Sequence, residues 1–80
     1  MNIHHLVSMA NDISAFFDSE VGLAEAPKSV ALHISRYWDP RMREQIIAYV
    51  AAGGEGLKPS ALNAVRSLPP PPSRAVPRAQ

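Results

Sequence analysis

Apolar residues return at helical spacing from the start of the chain. Ile3, Leu6, Met9, Ala10, Ile13, Phe16 and Phe17 fall within one broad arc at about 100° per residue, which predicts an amphipathic helix over residues 3 to 18. Asp18, Ser19, Glu20 and Gly22 are its stop signals, and Pro27 fits the first turn of a second helix. On that helix Val30, Ile34, Tyr37 and Trp38 share a face, while Leu32 points the other way with Lys28 and Arg36. A third helix is predicted from Pro40 to about Ala52, with Met42, Ile46, Ile47, Tyr49 and Val50 inward and Gly53-Gly54-Glu55-Gly56 closing it. Pro59 opens a short fourth helix whose inward set is Leu57, Ala61, Leu62, Val65 and Leu68. Lys58 is a poor cap for it, and alone it would fray. No stretch alternates as a strand does. The pattern predicts an all-α fold, a small bundle of four short helices over residues 1 to 68, followed by a disordered Pro/Arg tail over residues 69 to 80.

The junction between the second and third helices is the most specific stretch. Residues 33 to 43 read His-Ile-Ser-Arg-Tyr-Trp-Asp-Pro-Arg-Met-Arg and hold the only Trp of the chain. Asp39 can accept hydrogen bonds from the first free N–H groups of a helix, and Pro40, lacking an N–H, suits its first position. Arg41 and Arg43 then fall in the first turn, where the positive end of the helix dipole disfavours cations by roughly 0.3 to 1 kcal/mol each. Folding alone gives no reason for them.

Size changes the picture next. A domain of about 60 residues buries only about 60% of its unfolded surface, so stability alone is marginal and a partner is plausible. The chain has no Cys, which excludes disulfides and thiolate metal sites and fits a reducing compartment. Two of its eight basic residues, Arg74 and Arg78, lie in the tail, so residues 1 to 68 carry six bases against seven acids. That balance does not suit a phosphate backbone, so no nucleic acid is expected. Ser8, Asn11 and Asp12 interrupt the first apolar run before the length of a signal peptide or membrane span. A cytoplasmic chain with no membrane contact is expected.

Catalytic chemistry finds no constellation. His4 and His5 point about 100° apart on a helix and His33 lies a helix away, so cap or surface roles suit them better than metal ligation. Ser8, Ser14, Ser29 and Ser60 sit in no nucleophile motif, and the seven acids form no evident pair. The glycines after Ala52 lack the Gly-Lys-Ser/Thr of a phosphate loop. Partner binding is the better use of the unusual residues. Arg43 falls inside the apolar arc of its helix, where it either snorkels to water or meets an acceptor on another protein. Trp38 suits a core plug more than an anchor. Asn11 projects to the outer side of its helix with His4, Ala15 and Asp18, either solvated or offering its carboxamide to a partner. Leu32 gains meaning only if neighbouring apolar residues extend it.

Two blocks carry a family resemblance. The first runs Leu6-Val7-Ser8-Met9-Ala10-Asn11-Asp12-Ile13-Ser14-Ala15-Phe16-Phe17. The second runs from His33 to Arg43 and on through Ile46, Ala51, Ala52, Gly53, Gly54, Gly56, Leu57 and Pro59. Together they resemble the delta subunit of NAD-dependent, molybdenum-containing formate dehydrogenase, the Trp-Asp-Pro-Arg-Met core being the specific part. The resemblance implies a non-catalytic accessory subunit with no cofactor of its own. Its partner would be the large catalytic (alpha) subunit, in a complex with iron-sulfur and flavin subunits that holds bis-molybdopterin guanine dinucleotide, iron-sulfur clusters, FMN and NAD. Assembly, cofactor maturation or stabilisation of that complex would be its task. On this reading the partner interface gathers Met9, Asn11, Leu32, Arg36, Trp38, Asp39, Arg41, Met42 and Arg43, with the junction 36 to 43 at its centre. Permanent subunit and transient assembly chaperone both fit. A free-standing helical regulator, with the third helix in a DNA groove, is the alternative, and Glu44 beside Arg41 and Arg43 argues against it.

Overall fold

The computed structural model describes residues 2 to 69, and the tail expected beyond Pro69 lies outside the described residues. Four helices follow one another: α1 (Ile3–Val21), α2 (Ala26–Tyr37), α3 (Pro40–Ala51) and α4 (Pro59–Arg66). No strand occurs among the described residues. α1 touches the other three helices, and α2 lies most extensively along α4 and α1.

The local chemistry at each end is legible. Asn2 caps α1 by accepting the His4 N–H at 2.7 Å. Asp39 caps α3 by accepting the Met42 N–H at 2.9 Å, with Pro40 in the first position, as the sequence predicts. α3 closes on a Schellman turn, in which the Gly54 N–H reaches Tyr49 O at 3.0 Å and the Gly53 N–H reaches Val50 O at 2.9 Å. Gly54 has φ +66°, and a Cβ there would stand 2.5 Å from Leu62 Cδ1. α1 runs one turn beyond its expected end. Asp18, Ser19 and Glu20 form its last turn, because their small propensity cost is outweighed locally and Asp18 accepts the Ser60 hydroxyl from α4. Gly22, at φ +85°, is where it stops.

Leu6 and Ala10 of α1, Val30, Ile34 and Trp38 at α2, Ile46 and Val50 of α3, and Ala61, Ala64, Val65 and Leu68 at α4 make the core. On α1 the innermost line is Leu6, Ala10 and Ser14, spaced four apart. It is narrower than the apolar arc, whose other members spread to both sides. Ile3, Met9, Ile13 and Phe17 are half-buried at its margins, as are Met42, Ile47, Tyr49, Leu57 and Leu62 on the other elements. Two expected core residues lie outside. Phe16 is 57% exposed, and Tyr37 is 71% exposed. Tyr37 is the final residue of α2, at the edge of the packed face, and its ring rests on His33 instead of the core.

Candidate partner-binding surface

The helix junction is built largely for folding. Trp38, at 4% exposed, plugs the core where α2 ends. Its carbonyl accepts Arg43 Nη1 at 2.6 Å. The guanidinium thus reaches back from the first turn of α3 to the carbonyl end of α2, where a cation is favoured by the dipole and completes an otherwise open acceptor. This corrects the expectation that folding gives Arg43 no purpose. Asp39 is committed to the α3 cap, and Met42 is half-buried against the core. Of the expected interface residues at the start of α3, Asp39 and Arg41 are exposed, and only Arg41 is not engaged in the cap.

Asn11 is also occupied within the chain. The segment leading into α4 passes beside Asn11, while His4 and Ala15 on the same side of α1 stay exposed. Its Nδ2 donates to Gly56 O at 2.9 Å, and its Oδ1 accepts the Lys58 N–H at 2.8 Å. A single carboxamide thereby ties residues 45 and 47 positions away to the middle of α1. The Lys58 N–H is the donor that a capping-box side chain would satisfy from within α4, and Asn11 satisfies it from another helix. Tyr49 holds the same segment from α3 through its hydroxyl, which donates to Glu55 O at 2.6 Å. Met9 packs half-buried at the core margin.

Leu32 and Arg36 belong elsewhere, and there the surface changes character. Leu32 is 53% exposed on α2. The rings around it form a ladder from one helix to the next: Phe16 meets Phe17 edge-on at 5.0 Å, Phe17 meets His33 at 6.3 Å, and His33 lies tilted against Tyr37 at 4.8 Å. Two shallow wells flank the ladder. One, of about 270 Å³, is lined by Phe17, Ser29, Leu32, His33, Arg36 and Tyr37. The other, of about 280 Å³, is lined by Asp12, Ile13, Phe16, Phe17 and His33. Phe17 and His33 belong to both, so the wells form one continuous surface.

Of the nine interface residues expected from the sequence, this surface joins Leu32 and Arg36 and leaves the other seven outside it. Phe16, Phe17, His33 and Tyr37 also line this surface, and the sequence reading did not name them for it. Periodicity assigned the phenylalanines and the tyrosine inward, because it gives directions around one helix axis and not which of them another helix covers. Exposed aromatics clustered like this are uncommon unless something binds them.

Among the described residues, no group of three or more His, Asp or Glu is placed to hold a metal ion. No described helix is long and apolar enough to cross a membrane. Comparison with curated proteins and with solved structures finds no match. The family comparison does. Residues 5–65, which take in nearly all of the four helices, match the model described as NADH-dependant formate dehydrogenase delta subunit FdsD, and by that match the chain belongs to this family of formate dehydrogenase delta subunits.

Proposed function

We infer that this chain is a non-catalytic accessory subunit that binds the large catalytic subunit of a cytoplasmic, NAD-dependent formate dehydrogenase and supports assembly or stability of the complex. The family match over residues 5–65 carries the reading. The side chains support it: the hydrogen-bonding residues of the junction and of α1 are committed to holding four helices together, while large apolar groups face outward. Molybdenum cofactor, iron-sulfur clusters, FMN and NAD belong, on this reading, to the other subunits. Formate oxidation and NAD reduction take place there, and this chain acts by being bound.

The test is expression of the other subunits with and without this chain. With it, the purified complex should contain the chain in fixed ratio and show full molybdenum content and formate-dependent NAD reduction. Without it, molybdenum occupancy or the thermal lifetime of activity should fall. Equal occupancy, lifetime and rate in both preparations would remove the reading. Purification through a tag on this chain separates the two modes of action: a permanent subunit stays through gel filtration, and an assembly factor is recovered only on cofactor-free catalytic subunit.

A further inference from the structure

The α1–α2 face has an electrostatic layout that restricts what can cover it. α2 carries Lys28, His33 and Arg36 and no acidic residue, whereas Asp12 and Glu20 stand exposed on α1. The two wells divide accordingly, with Arg36 lining one and Asp12 the other. Among the described residues neither side chain has a hydrogen bond or ion pair. Between them lies the ring ladder, with Phe16, Leu32 and Tyr37 each more than half exposed. Aromatic rings backed by a rigid helix pair, with a charge at either end, have the composition of an interface centre with a polar rim.

We propose that this face is the docking site for the large catalytic subunit, from which it takes an amphipathic segment that sets apolar side chains into the two wells, a carboxylate against Arg36 and a cation against Asp12. The proposal rests on the accessory-subunit reading and adds to it the surface and the chemistry of the segment received. Two wells bridged by shared rings favour one continuous segment laid across both helices, in the manner of a helix in a groove. The opposed charges fix its direction. Arg36 can hold a carboxylate in bidentate geometry, which gives the contact orientation as well as attraction. The interface centre moves accordingly from the junction at residues 36 to 43, of which it keeps Arg36 and Tyr37, to the groove between residues 12 to 17 and 29 to 37.

The experiment uses the full chain, tagged and co-expressed with the remaining formate dehydrogenase subunits. Leu32→Glu, Phe16→Glu and Arg36→Glu alter exposed positions, and melting curves of the isolated variants establish that they fold. Each should reduce recovery of the catalytic subunit by about tenfold or more, while Arg41→Glu, outside the face, should leave it unchanged. Tyr37→Ala serves as a gentler probe should a glutamate variant melt early, with the same direction of loss. Wild-type recovery retained in all four face variants would overturn the docking site and leave the accessory role standing. Loss in Arg41→Glu alone would return the interface to the junction and overturn it likewise. A wild-type chain that recovers no catalytic subunit would remove the functional reading itself. Light scattering of the isolated chain adds one more outcome: a dimer abolished by the same substitutions would show that a second copy covers this face, against the proposal.

Discussion

A side chain's value in this protein depends on which carbonyl or amide it reaches, and three residues show it. Asn11 makes two tertiary hydrogen bonds with one group, so Asn11→Ala should destabilise the chain by about 1 to 3 kcal/mol, measured by urea or thermal unfolding. Asn11→Asp should fall between, because it keeps an acceptor for Lys58 but sets a carboxylate against the Gly56 carbonyl. Arg43 is the second. Its bond to Trp38 O is part-buried and charge-assisted, so Arg43→Ala should lower stability of the isolated chain by about 1 to 2 kcal/mol, and an unchanged melting curve would show that the contact contributes nothing. Ser14 is the third and runs the other way. Its hydroxyl is fully buried without a hydrogen-bond partner, so Ser14→Ala should leave stability unchanged or raise it by up to about 1 kcal/mol.

At the scale of elements, α4 is the dependent one. Eight residues with no side-chain cap cannot hold a helix in water, and α4 forms because its entry segment is fastened from α1 by Asn11 and from α3 by Tyr49. The Schellman turn before it aims that segment. Gly54→Ala meets two costs there, a left-handed backbone worth roughly 1 to 2 kcal/mol and a Cβ forced toward Leu62, so calorimetry should show a clear fall in melting temperature. Gly53→Ala meets nothing within 4 Å of its Cβ, but φ +132° lies well outside the left-handed basin that L residues can enter, so it too should lower the melting temperature, through the backbone alone. Helix α1 differs: at 19 residues it is the spine against which the other three lie, and its exposed margin supplies half of the aromatic face.

For the whole molecule, the core is small and the outward aromatic face is left over from it, which fits the proposed docking of another protein there. Binding to the native state stabilises it by mass action. Amide exchange at residues 12 to 17 and 29 to 37 should therefore slow most on assembly, with α3 changing less; uniform protection across all four helices would argue against a localised contact. Periodicity, the Asp39-Pro40 cap and the glycine run were sufficient by themselves to determine four helices, their order and most of their ends, because these depend on interactions within a few residues. The family was legible as well, in the Trp-Asp-Pro-Arg-Met block that the match over residues 5–65 confirms. What only the tertiary structure decided was which apolar residues stay outside and which polar ones are already taken. A helical wheel gives directions around one axis, but Phe16 and Tyr37 are exposed, and Asn11 and Arg43 engaged, because of where three other helices happen to lie. Burial is a property of pairs of elements, and a single chain of letters specifies it only through the packing that follows.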